Sequence, residues 1–264
     1  MRPGCFSGII RPSVLTTKVM LTVLVGLGVS MSAFTQPATG KLEITPLTGD
    51  YYIFTTYRLL NGEPFPANGL YLVTRAGVVM IDTPWDTTQF QPLLDAIKVR
   101  HNSNVLMCIA THSHDDRTGG LEFLRRKGVK TYTSRATDEI SKARGNKRAE
   151  FLFDDDTTFT VGNYSFQTVY GGHGHTKDNI VIWFEEDRIL YGGCLVKSTE
   201  ATDMGYTADA DLAAWPTTIR NIKKKCLRPR YVIPGHQDWR NNNALDHTLM
   251  LLDERAKINR VESR

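Results

Sequence analysis

VLMCIATHSHDDRTGG, residues 105–120, is the stretch on which the reading of this chain turns. Its first six residues form a short continuous apolar run, the mark of a strand covered on both faces. The polar residues that follow place His112, His114 and Asp116 two apart. Alternate residues of extended backbone point the same way. Three side chains able to bind a metal are therefore expected to converge at one strand end.

Outward from this stretch, strands and helices fall into two comparable sets. On the N-terminal side, GLYLVT and GVVMIDT alternate in hydrophobicity around Arg75-Ala76 and read as a hairpin. QFQPLLDAIKVR spaces Phe90, Leu93, Leu94 and Ile97 as a helix does, and GGLEFLRRKG and RATDEISKARGNKR read as two more helices. In the second half TFTV, YSFQTVY, NIVIWF and RILYGG read as strands. DLAAWPTTIRNIKKKC is then a helix, YVIPG a buried strand and NALDHTLMLLDERAKINRV a closing helix. Two sheets sandwiched between outer helices fit this order, an α/β architecture.

Three further ligand candidates stand at the ends of apolar runs: His175 in YGGHGHTKDN, Cys194 in RILYGGCLVKS and His236 in YVIPGHQDW. Sites in layered α/β proteins gather at strand ends, where loops vary freely above a rigid sheet. Zinc favours nitrogen and sulfur, and a catalytic zinc keeps three protein ligands and one open position. Six ligands make two such sites. His173 stands two residues before His175 but is set aside as a ligand, and His101 and His247 are expected to be structural or solvated.

The chain has 264 residues, with 41% hydrophobic and 23% charged, enough for a sizeable core. Of its formal charge of +4, three positive charges (Arg2, Arg11, Lys18) lie in the first 33 residues, which carry no acids, leaving about +1 for the rest. So balanced a charge argues against nucleic acid as a partner. The runs KVR and RRK, and Lys223 to Lys225, read as solvated helix faces. Basic residues up to Lys18, the apolar run Val19 to Val29 and small residues to Ala33 read as an export signal, with residues 34–264 as one mature domain. The apolar run, about 11 residues, is short of the roughly 20 that span a bilayer, so no stable membrane anchor is expected. Cys108, Cys194 and Cys226 are odd in number, so a disulfide framework does not build the fold and one thiol is available as a ligand.

Taken together, THSHDDRTGG, GHGHTKDN, GGCLVKS and IPGH resemble the class B metallo-β-lactamases, in the subclass with a three-histidine zinc site and an Asp-Cys-His zinc site. NGLYLV, VVMIDTPWD, MGYTADADLAAWP and the closing helix are similar to that family as well. The resemblance implies the four-layer αββα sandwich, two zinc ions per chain and hydrolysis of β-lactam amide bonds by a metal-bound hydroxide. An exported, periplasmic antibiotic-resistance enzyme acting as a monomer on a small-molecule substrate is the expectation. Residue by residue, it implies one zinc on His112, His114 and His175 and another on Asp116, Cys194 and His236, with Asp116 also orienting the nucleophile. Lys197 would bind the substrate carboxylate, Asp82 would lie near the metals, and Trp85 would be a packing residue. Residues 58–69, RLLNGEPFPANG, would be a mobile flap, with Leu60 and Phe65 touching substrate. The flap lacks a tryptophan at its tip. Tyr206 stands where many members have an asparagine that helps hold the lactam carbonyl, so its hydroxyl or a backbone N–H is a candidate for that work.

Two other readings stay open on sequence. Thioester hydrolases of the glyoxalase II kind and tRNA-processing nucleases share the fold, but they usually have a histidine where Arg117 stands and a bridging aspartate where Cys194 stands. A non-catalytic exported zinc-binding protein is the other, although sequestering proteins favour closed coordination.

Overall fold

The structure, a computed structural model, describes residues 41–154 and 156–262. The expected leader, residues 1–33, lies outside them.

Two mixed sheets form the centre of the molecule. The first contains β1 (Glu43–Thr48), β2 (Tyr51–Leu60), β3 (Glu63–Thr74), β4 (Gly77–Ile81), β5 (Val105–Ile109), β6 (Lys130–Ser134) and β7 (Phe151–Phe153), side by side in chain order. The second contains β8 (Thr158–Val161), β9 (Tyr164–Tyr170), β10 (Ile180–Phe184), β11 (Ile189–Gly193) and β12 (Tyr231–Pro234), also in chain order. β1 to β4 pair antiparallel and β4 to β7 parallel. β8 to β11 pair antiparallel, and β12 joins β11 in parallel.

The side-chain period of two makes three cores out of these two sheets. Ile53, Leu70, Leu72, Val79, Ile81, Met107 and Ile109 of the first sheet face Phe166, Ile180, Ile182, Phe184, Tyr191 and Ile233 of the second. Their neighbours on the same strands point outward. Phe54, Tyr71, Val78, Met80 and Cys108 pack under α1 (Phe90–His101) and α3 (Leu121–Arg126), with Leu93, Ile97, Leu121 and Leu124 closing that core, and the single turn α2 (Asp115–Thr118) precedes α3. Beyond β6 lies α4 (Arg135–Arg144), capped by the Ser134 hydroxyl, which accepts from the Thr137 N–H, and ended by Gly145 at φ 69°. On the far face Val169, Val181, Trp183, Leu190 and Val232 pack under α5 (Trp215–Lys225) and α6 (Ala244–Glu262), against Trp215, Ile219, Ile222, Leu245 and Leu252. Helix, sheet, sheet, helix is the αββα sandwich expected from the sequence.

β5, with its exit loop, is apolar on both sides as the run VLMCIA required: Met107 and Ile109 face the inner core, Cys108 and Ala110 the outer one. The hairpin around Arg75-Ala76 is β3–β4. The sequence sets no expectation on β1, β2, β6 and β7: Thr, Tyr and Lys dilute the alternation of β2 and β6, and β7 is only three residues long. The 58–69 segment is the end of the β2–β3 hairpin, turning at Asn61 and Gly62 with φ of 53° and 88°. Positive φ at both central residues is what a tight hairpin turn requires, and Asn-Gly supplies it. Pro216 at the start of α5 explains why the helix begins at Trp215 and not at Asp211, since proline suits the first helical turn. Cys108 and Cys226 belong to separate cores, and the three described cysteines are free and buried.

Candidate metal centre

β9, β11 and β12 run in one direction, so their carboxyl ends open at the same edge of the second sheet. His175, Cys194 and His236 follow these three strands, while His112, His114 and Asp116 follow β5. The extended geometry expected for the HxHxD stretch holds only as far as His114, with φ −71° and ψ 153°. Asp116 sits in the first turn of α2, and that turn swings its carboxylate back toward the histidines. Asp178 fixes the bend: its carboxylate accepts from the Ser113 N–H at 2.8 Å.

The six side chains expected to meet do meet, in two triangles. His112, His114 and His175 have ring centroids 4.8 to 4.9 Å apart and planes 74° to 88° from one another. His114 Nδ1 lies 3.1 Å from His175 Nε2. Nitrogens sharing a tetrahedral zinc sit about 3.3 Å apart, given bonds of about 2.0–2.1 Å. In the second triangle Cys194 Sγ is 3.4 Å from Asp116 Oδ2 and 3.3 Å from His236 Nε2, and the last two are 3.1 Å apart. His112, Asp116 and Cys194 also present ligand atoms within 4.8 Å of one another, so the two triangles adjoin.

The donor chemistry fits a metal. His112 Nε2 is buried without a hydrogen-bond partner, an expensive state for a polar atom unless something binds there. Burial holds His112 and His175 well below the ordinary histidine pKa, and it lowers His236 too, so these imidazoles are neutral donors. Burial would raise the Asp116 pKa, but the Arg117 guanidinium beside it holds it well below the carboxylate range. Burial pushes the Cys194 thiol far up, so a cation is needed there to hold it as thiolate.

A surrounding layer aims these donors. His236 Nδ1 meets the Pro66 carbonyl at 2.9 Å, which leaves the Nε2 lone pair facing the second triangle, with Arg117 Nη2 3.3 Å away. His114 Nε2 meets Asp209 Oδ2 at 2.8 Å, which leaves Nδ1 free in the same way. Asp209 is gripped by Arg144 through two bonds of 2.6 and 2.7 Å, and its pKa is lowered to about 2 by that contact. Asp82, at φ 64°, accepts from the Thr111 N–H at 2.7 Å and the Tyr191 hydroxyl at 2.8 Å. Its pKa is pushed up to about 6 by burial, against Arg117 and these donors. Gly235 is required because an added Cβ would meet Cys194 Sγ at 2.8 Å.

Beside the triangles lies a cavity of about 430 Å³, walled by Leu60, Phe65 and Trp85 on one side and Lys197 and Tyr206 on the other. Phe65 and Trp85 pack on the His236 ring, at 5.3 and 5.6 Å between centroids. Tyr206, largely exposed, sets its ring 5.5 Å from His114. Lys197 Nζ lies 5.3 Å over the Trp215 ring. Burial lowers the Lys197 pKa while Cys194 and Asp116 act to raise it. The three remaining histidines stand apart: His173 faces Asp211, His101 bonds Tyr71, and His247 bonds the Ala201 carbonyl.

Sequence reasoning did not identify Asp209, Arg144 or Asp178, and it saw Arg117 only as the absence of a histidine. Asp209 lies in MGYTADADLAAWP beside a second aspartate, and nothing local says which of the two turns toward the site.

The family model of the metallo-beta-lactamase superfamily matches residues 62–236. A curated relative from Elizabethkingia meningoseptica, metallo-beta-lactamase type 2, is 42% identical over 238 residues, covering 90% of this chain and 95% of the relative. Metallo-beta-lactamase IND-1 from Chryseobacterium indologenes is 41% identical over 210 residues, covering 80% and 88%. The crystal structure of metallo-beta-lactamase IND-7 superimposes with a TM-score of 0.78 at 41% identity, over 80% of this chain and 98% of that one.

Proposed function

This chain belongs to the metallo-β-lactamase superfamily, and from that premise we propose which residues carry its chemistry. It is a zinc-dependent hydrolase that cleaves the amide bond of β-lactam antibiotics and so confers resistance. In this reading His112, His114 and His175 hold one zinc and Asp116, Cys194 and His236 a second, two per chain. The observation that carries the assignment is the partnerless, buried Nε2 of His112 in a pair of adjoining donor triangles.

When bound, zinc lowers the pKa of a coordinated water from 15.7 to about 7 and polarises a carbonyl oxygen. The chain's own groups do the rest. Asp116, kept ionised by Arg117, accepts a hydrogen bond from the attacking water and orients it toward the carbonyl carbon. Lys197 binds the carboxylate beside the lactam nitrogen as a point charge. Tyr206, standing over His114, offers its hydroxyl to the lactam carbonyl oxygen. Phe65, Trp85 and Leu60 form the apolar wall that keeps bulk water from the ring.

Arg117 weighs against the thioester-hydrolase and nuclease readings. It fills the place of a histidine ligand with a guanidinium that bonds Asp116, Asn68 and Gly235. Export to the periplasm through residues 1–33, with 34–264 as the mature domain, rests on the leader composition. Among the described residues, no helix is long and apolar enough to cross a membrane. A monomer suffices because all six donors come from one chain.

The test is hydrolysis of a chromogenic cephalosporin, with chelator and then with added zinc, alongside a metal count. Loss, recovery and two zincs per chain are expected. Turnover that survives chelation, or bound zinc without hydrolysis, overturns the reading.

A further inference from the structure

Four histidines point a nitrogen into the two triangles, and their other nitrogens differ in what holds them. His236 is held by a backbone carbonyl, Pro66 O, which cannot turn away. His112 Nδ1 has the Thr111 hydroxyl at 3.4 Å, and His175 Nδ1 is buried without a partner. His114 alone is held by a charged side chain, Asp209, through Nε2 at 2.8 Å. A carboxylate can rotate about its last bond, so it orients an imidazole only if something orients the carboxylate. That something is Arg144, whose two terminal nitrogens donate to Asp209 Oδ2 at 2.7 Å and Oδ1 at 2.6 Å.

We infer that Arg144, in the last turn of α4, is a positioning residue for the three-histidine triangle: its fork sets the plane of Asp209, and Asp209 fixes the ring of His114. The inference rests on the proposed function, since it concerns the same metal site. The fork matters as much as the charge. Two parallel N–H···O bonds fix a carboxylate plane, which a lysine ammonium cannot do. With the plane fixed, Oδ2 accepts from both Arg144 Nη1 and His114 Nε2–H, and the ring is turned so that Nδ1 faces the metal position. Loss of such an outer partner typically weakens metal binding about 10- to 100-fold. Arg144 is also half exposed, with side-chain accessibility of 43% against 19% for Asp209. The contact is therefore open to screening by salt, which a buried relay would resist.

Cobalt titration of the metal-stripped chain, followed by absorption, separates the two triangles. Ligand-field bands report the three-histidine site, and the thiolate charge-transfer band reports Cys194. Arg144→Ala should weaken cobalt binding about 10-fold in the ligand-field bands, with the thiolate band titrating as in the parent. Arg144→Lys should fall between, and it keeps the inference testable if Arg144→Ala folds poorly. Raised salt should weaken the ligand-field titration of the parent more than that of Arg144→Ala. Parent-like titration of Arg144→Ala, or equal loss of both bands in the two variants, overturns the inference. A parent chain with no ligand-field band at all overturns the metal assignment itself, a separable outcome.

Discussion

Arg117 Nε donates to Asp116 Oδ2 at 3.0 Å, so a fully buried guanidinium touches the carboxylate that completes the second donor triangle. The same side chain donates to Asn68 O at 2.7 Å, Gly235 O at 2.8 Å and the Tyr191 hydroxyl at 3.1 Å, and it reaches Asp82 at 3.4 Å. One cation thus ties β3, the loop after β4, α2, β11 and the end of β12 beneath the site. Its hydrogen bonds offset the cost of burying charge.

Removing that cation leaves Asp116 and Asp82 buried without their counter-charge. Arg117→Met should destabilise the metal-free chain by about 3–5 kcal/mol, the usual cost of breaking a buried ion pair from one side. The check is the midpoint of denaturant unfolding. An unchanged midpoint would show that Arg117 fills space and no more.

Cys194→Ser should deplete the second metal and lower turnover, because a hydroxyl is a far poorer ligand than a thiolate. The first triangle shares no donor with Cys194 and should keep its metal. Metal content per chain reads this directly; two zincs and parent turnover would contradict the role.

Lys197→Ala should chiefly raise KM, since it removes a contact made to substrate and transition state alike. Comparing kcat and KM for a substrate carrying the carboxylate decides it. A normal KM with only kcat reduced would place Lys197 in the chemical step instead.

Tyr206→Phe keeps the ring against His114 and deletes only the hydroxyl. If that hydroxyl receives the developing negative charge, kcat should fall on the order of 100-fold with little change in KM. Parent-like kcat would leave the oxyanion to the metal alone.

Much of this was legible in the chain because it is local. VLMCIA announces a strand buried on both faces, and the helical spacing of Phe90, Leu93 and Ile97 announces α1. Each of the six donors stands within a few residues of such a run. β2 and β6 were not legible, because their strand character comes from neighbours on either side and not from their own alternation.

Sequence alone determined the sandwich architecture and which six side chains meet, since periodicity sets burial and strand ends set where loops gather. Tertiary structure alone decided how those side chains are aimed. The turn of α2 that brings Asp116 round, Arg117 beneath the second triangle, and the pairing of Arg144 with Asp209 behind His114 join residues far apart in the chain. Hydrogen-bond direction depends on fractions of an ångström between distant backbones, and no local pattern of residue types encodes that distance.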